Sequence, residues 1–233
     1  MSEPLPVVLV PGLNCSARLY GEQIPVLWRC GPVEVADHTR DDHMAAIAAR
    51  VLRAAPDRFA LCGLSMGGYI ALEIMRQAPQ RVARLALLDT GARADAPQQT
   101  DRRRQLIALA ESGRFCEIPD LLFPVLVHRT RLGDASLREI NRLMAAETGA
   151  DAFVRQQSAI MRRPDLRPSL GAINCPTLVL VGDGDELTPP ALAQEIAAAI
   201  PGARLAVIPE SGHLSTLEQP AAVNDALLAW MQT

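Results

Sequence analysis

The run Gly63-Leu64-Ser65-Met66-Gly67-Gly68 places a serine between glycines two residues to either side. A serine hydroxyl is a weak nucleophile at neutral pH and becomes a useful one only beside a general base. The G-x-S-x-G spacing suits a sharp strand-to-helix turn. In that turn the nucleophile's backbone is strained, and side chains two residues away on either side would collide. Apolar residues Phe59–Cys62 precede the run and helix-spaced Tyr69–Glu73 follow it, which is the context the turn requires. The N–H of Met66, at the N-terminus of the following helix, is then placed to stabilise an oxyanion. The competing reading is a glycine-rich turn with an incidental serine, and the flanking strand and helix weigh against it.

Four histidines are available as the base: His38, His43, His128 and His213. His213 lies in Glu210-Ser211-Gly212-His213-Leu214, just after the last predicted strand, and parallel sheets bind ligands beyond the C-terminal ends of their strands. His38 also follows a strand and, with His43, is the nearest competitor. A carboxylate must fix the tautomer of the base and stabilise its imidazolium. Val181-Gly182-Asp183-Gly184-Asp185-Glu186 offers Asp183, Asp185 and Glu186 after the fifth strand, and Asp89 follows the fourth. The order Ser65, Asp185, His213 is the nucleophile, acid, base order of the α/β architecture.

These residues need a scaffold, and the sequence alternates strand and helix. Short apolar runs predict strands at 5–10, 33–36, 59–62, 85–88, 177–181 and 204–208. Helical spacing predicts helices at 16–28, 42–55, 65–77, 189–200 and 220–231. Between 91 and 172 the alternation stops, and helical stretches fall near 98–112, 115–128, 134–147 and 151–161. Strands joined by helices imply a parallel sheet with right-handed crossovers. The expected fold class is therefore α/β: a six-stranded parallel sheet flanked by helices. Residues 1–90 and 173–233 form the core, and 91–172 a helical insertion after the fourth strand.

Composition narrows the chemistry. The chain has 233 residues and a formal net charge of −3, which invites neither nucleic acid nor an anionic membrane. All 23 basic residues are arginine. Without lysine there is no Schiff base, no pyridoxal chemistry relying on lysine and no Walker-A loop. The five cysteines are scattered without a CxxC pair, and no ligand spacing suggests a metal. Met1-Ser2-Glu3 opens without a basic stretch and apolar run, so no signal peptide or membrane span is expected. The reading is of a reduced cytoplasmic protein with buried thiols, without cofactor, acting on a small molecule, with a homodimer left open.

Together, Leu9-Val10-Pro11-Gly12-Leu13, Gly63-Leu64-Ser65-Met66-Gly67-Gly68, Gly182-Asp183-Gly184-Asp185 with Pro189, and Ser211-Gly212-His213 resemble the alpha/beta-hydrolase family nearly end to end. The run Leu88-Asp89-Thr90-Gly91-Ala92 is similar to small carboxylesterases and oxoadipate enol-lactonase-like members. The resemblance implies that Asp185, three residues after Gly182 and four before Pro189, is the acid. It also implies that Leu13 N–H joins Met66 N–H in the oxyanion hole. Two departures stand out. Many members carry His-Gly where this chain has Pro11-Gly12, and Asn14 is the candidate to take over that histidine's supporting role. The usual opening hairpin is missing, which predicts a trimmed, all-parallel version of the fold.

The insertion is expected to lie over Ser65 as a lid. Its apolar residues Leu106, Leu109, Phe115, Leu121, Leu122, Phe123, Leu126, Leu143, Met144 and Phe153 fall at roughly helical spacing, some packing helices together and some lining an acyl pocket. Residues 91–170 carry 13 Arg against 10 acidic residues, while the rest of the chain carries 10 against 16. Arg102-Arg103-Arg104 and Arg162-Arg163 are either a solvated face or a grip for a substrate carboxylate. The expected activity is hydrolysis of a small ester, lactone or thioester. Carbon–carbon hydrolase or lyase and haloperoxidase-like activities on the same scaffold, or a non-enzymatic ligand receptor, are the alternatives.

Overall fold

The computed structural model describes residues 4–233, so the reading of Met1–Glu3 lies outside the described residues. Six strands form one sheet: β1 (Val7–Val10), β2 (Val33–Val35), β3 (Phe59–Leu64), β4 (Val82–Leu88), β5 (Thr177–Gly182) and β6 (Arg204–Ile208). The order is β2-β1-β3-β4-β5-β6, and every pairing is parallel. β1, β3 and β5 are buried at every residue, which explains their continuous apolar runs. Edge strand β6 exposes Arg204 and Leu205.

Side-chain alternation divides the core between the two faces. Val8, Val10, Leu61, Leu87 and Val179 face one cluster, with Ile47, Ile70 and Ile196. These come from the helices α2 (Met44–Ala54), α3 (Met66–Gln77) and α8 (Pro190–Ala199). Val7, Leu9, Cys62, Leu88 and Leu180 face the other, with Leu27 of α1 (Ile24–Leu27) and Leu227 and Trp230 of α10 (Pro220–Met231). Between β4 and β5 lie α4 (Pro97–Leu109), α5 (Ile118–Leu126), α6 (Ala135–Thr148) and α7 (Ala150–Met161). A four-residue helix, α9 (Ser215–Glu218), precedes α10.

The single helix expected over 16–28 is instead two pieces, a 3-10 turn Ala17–Tyr20 and the short α1. Pro25 sits in the first turn of α1, where its missing N–H costs nothing, and the helix restarts there. The expected helix 98–112 ends as α4 at Leu109, and Gly113 turns the chain at φ 81°. Among the described residues, no helix is long and apolar enough to cross a membrane. The cysteines are all free. Cys15 and Cys62 are buried as expected, but Cys116 is exposed.

The chain winds outward from β1 in both directions: β2 lies on one side and β3 on the other. That reversal leaves a crevice where the C-terminal ends of β1 and β3 lie side by side, with Val10 opposite Gly63. Leu13 follows one end and Ser65 the other.

Candidate active site

Ser65 occupies the tip of the β3–α3 turn with φ 56° and ψ −115°, a region that costs a non-glycine residue about 1–3 kcal/mol. The surroundings hold it there. Its N–H donates to Leu88 O at 2.9 Å, and Thr90 Oγ1 donates to its carbonyl at 2.7 Å. The flanking glycines have a steric cause. A Cβ on Gly67 would run into the carbonyl of Val10, and one on Gly63 into the carbonyl of Gly67. Helix α3 could not approach β1 so closely with side chains there. Among the described residues, Ser65 Oγ makes no hydrogen bond, and the N–H groups of Leu13 and Met66 have no acceptor.

His213 and Asp185 meet. His213 Nδ1 lies 2.8 Å from Asp185 Oδ2, and both side chains are almost fully buried. Asp185 Oδ1 accepts from Leu187 N and Thr188 N at 2.9 Å each, and Thr188 Oγ1 donates to Oδ2 at 2.6 Å. With Nδ1 protonated toward Asp185, Nε2 is the free basic nitrogen of His213. Burial works against ionising Asp185, but the facing imidazole and the Thr188 donors outweigh it and hold the carboxyl below its ordinary range. Burial likewise opposes charging His213, and the Asp185 carboxylate overcomes it, raising the ring above its usual value. Asp183 is exposed and accepts from Ser211 N, which stabilises the histidine loop from behind.

Ser65 and His213 line one cavity of about 470 Å³, together with Leu13 and Asn14. They are not hydrogen-bonded to each other. Apo structures often show such contacts loose, tightening only with substrate. The other histidines are elsewhere. His43 is exposed and pairs with Asp42, and His128 bonds Thr130. His38 is buried, and its Nε2 lies 2.9 Å from Gly12 O, a contact that fixes the loop after β1. Burial lowers its pKa, and the ring nitrogen facing a carbonyl oxygen donates to it.

His38 thus holds the loop after β1, where the sequence pointed to Asn14 for support. Asn14 Oδ1 has no partner, and its backbone N–H donates to Gln156 Oε1 of α7 at 2.9 Å. Two further carboxylates escaped sequence reasoning as structural ties. Asp89 is fully buried with φ 45°; its Oδ1 accepts from Gly182 N at 2.9 Å and its Oδ2 bonds Ser215 Oγ. Burial and then the nearby Asp185 charge push its pKa well up. Glu218 accepts from Gly212 N at 2.9 Å and His128 N at 2.7 Å, joining the histidine loop to the insertion. Its sequence signal is slight: a carboxylate on the helix that follows His213.

The apolar residues of the insertion divide into groups. Leu106, Leu122 and Leu126 line the cavity. Phe123, Met144 and Phe153 are fully buried in packing, while Leu121 and Leu143 face solvent. Among the described residues, no three His, Cys, Asp or Glu side chains are grouped as metal ligands.

A parallel sheet with a strained serine at its crevice and a buried histidine–aspartate pair beside it is the architecture of an alpha/beta-fold hydrolase. The model of the alpha/beta hydrolase family matches residues 7–226, and the chain belongs to that family. It is 31% identical to a pimeloyl-[acyl-carrier protein] methyl ester esterase of Aromatoleum aromaticum, over 71% of this chain and 70% of that protein. It is also 31% identical to BpoC of Mycobacterium tuberculosis, named as a non-heme bromoperoxidase, over 96% of this chain and 92% of that one. A thermophilic esterase from Thermogutta terrifontis superposes with a TM-score of 0.89 at 30% identity, covering 98% of this chain and 89% of the other.

Proposed function

We propose that the protein is a serine hydrolase that cleaves a small ester, lactone or thioester through an acyl-enzyme. Ser65 Oγ attacks the acyl carbonyl as His213 Nε2 takes its proton. The carbonyl oxygen becomes an oxyanion held by Leu13 N–H and Met66 N–H. As the tetrahedral intermediate collapses, His213 returns the proton to the leaving oxygen or sulfur. Water, deprotonated by the same nitrogen, then attacks the acyl-enzyme, and the carboxylic acid leaves with Ser65 restored. Asp185 keeps Nδ1 protonated and stabilises the imidazolium. The helical insertion of 91–172 acts as a lid, with Leu106, Leu122 and Leu126 forming the apolar acyl wall.

The observation that carries this reading is the buried His213–Asp185 pair on the same cavity as a serine held at positive φ. The esterases to which the chain is similar support the ester class. A fluorophosphonate probe tests it directly. The wild-type protein should be labelled and Ser65→Ala should not be; labelling of both, or of neither, refutes an activated Ser65.

A further inference from the structure

The cavity beside Ser65 has an unequal charge lining. Arg93, Arg102, Arg103 and Arg163 contribute to its wall, against Glu186 as the one acidic lining residue. Glu186 is exposed, on the loop after Asp185. Arg93 is paired with Glu195. Arg103 and Arg163 share one carboxylate, Asp95, whose side chain is 1% exposed; they contact it at 3.0 and 2.8 Å. Two guanidinium groups on one buried carboxylate leave a surplus positive charge at the wall. Arg102 makes no ion pair or hydrogen bond among the described residues.

A second observation is independent of charge. Gln157 is fully buried and lines the same cavity. Its Oε1 accepts from Arg103 Nη1 at 2.9 Å. An arginine can only donate, so the amide orientation is fixed, with Nε2 turned away from Arg103. Nε2 has no partner. A buried N–H without an acceptor costs about 1–3 kcal/mol, a cost that an acceptor on a bound ligand would offset.

We propose that the substrate carries a carboxylate that seats on Arg102, Arg103 and Gln157 Nε2, so that the enzyme prefers acyl groups ending in a negative charge. This rests on the hydrolase reading above and names its substrate class. The donors present, two guanidinium groups and one amide N–H, are matched by an acceptor-only anion and not by a neutral alkyl end. The cavity volume suits a small dicarboxylic half-ester, with its ester carbonyl at Ser65 and its free carboxylate on the insertion side.

The test uses the full-length protein with monomethyl succinate, glutarate and adipate, each set against the methyl ester of the monoacid of equal chain length. Acid release is followed by pH-stat. For at least one chain length, kcat/KM for the half-ester should exceed that for the neutral ester by about tenfold to a hundredfold, the range of one or two charge-assisted contacts. Added salt should shrink the ratio. Arg102→Gln, which removes no internal partner, and Arg103→Gln should each lower the ratio by about tenfold. Arg104→Gln should leave it unchanged, because Arg104 faces solvent and pairs with Asp101. Neutral esters equal or superior at every chain length would overturn the proposal, as would a preference that survives both Arg102→Gln and Arg103→Gln. Fluorophosphonate labelling separates the two failures: a labelled Ser65 without anionic preference removes only the carboxylate site, and an unlabelled protein removes the hydrolase reading itself.

Discussion

Asp89 offers a stringent test of how this site is held. The side chain is wholly buried and bonds two groups that bracket the proposed acid and base. Gly182 N ends β5, three residues before Asp185, and Ser215 Oγ begins α9, two residues after His213. Burial and the neighbouring Asp185 raise its pKa, which favours a neutral carboxylic acid. Asp89→Asn keeps an acceptor for Gly182 and a donor for Ser215, so it should change stability by less than about 1 kcal/mol near neutral pH. Asp89→Ala strands a buried N–H and a buried hydroxyl at about 1–3 kcal/mol each, so a loss of about 3 kcal/mol is expected. At roughly 2–4 °C per kcal/mol for a chain of this size, Tm should fall by about 10 °C. The pH dependence has a definite sign. A carboxyl with a raised folded pKa binds its proton more tightly in the native state, so it lowers stability as pH rises above the ordinary value of 3.8. Asparagine lacks that slope, and the gap between wild type and Asp89→Asn should move in favour of the variant with increasing pH. Thermal melts of the three proteins across pH decide the matter. Should Asp89→Asn prove as damaging as Asp89→Ala, the neutral-acid account is wrong.

Other variants probe the remaining ties. Asp185→Asn should reduce kcat/KM by about 10³–10⁴-fold. Because Asp185 raises the His213 pKa and the base works as the neutral ring, the acid limb of the pH–rate profile should lie above the ordinary histidine value of 6.5 in wild type and move down in Asp185→Asn; an unmoved limb would count against the pairing. His38→Ala removes the donor to Gly12 O and should lower kcat more than it raises KM, at a stability cost of about 1–3 kcal/mol seen in urea unfolding. A pure KM effect would assign His38 to binding instead.

Much of the scaffold was legible because its signals are local. The apolar runs of β1, β3 and β5 report burial on both faces, Gly67 reports how closely α3 approaches β1, and Gly63 reports how tightly α3 turns back over β3. The family resemblance, through the positions of Gly182 and Pro189, implied Asp185 over Asp183, and the fold brings Asp185 against His213. What escaped depends on residues far apart in the chain. Asn14 meets Gln156 across 142 positions and Asp89 meets Ser215 across 126, and no periodicity encodes either. His38 looked like a competing base because a histidine after a strand reads the same whether it faces a cavity or a carbonyl. The break in the 16–28 helix was written in Gly21 and Pro25, but its place depended on how Tyr20 and Leu27 dock under the sheet.

The bond from Asn14 N to Gln156 Oε1 has a mechanical consequence. One end belongs to the loop that carries Leu13, the other to α7 of the insertion, and Leu13 itself packs against the insertion's apolar cluster. Any excursion of α7 away from the sheet breaks that bond and loosens the backbone of Leu13 at the same moment. Under the proposed mechanism, entry of a reactant and readiness of the Leu13 amide would thus be a single degree of freedom: a gate built this way is idle while open and armed only when shut.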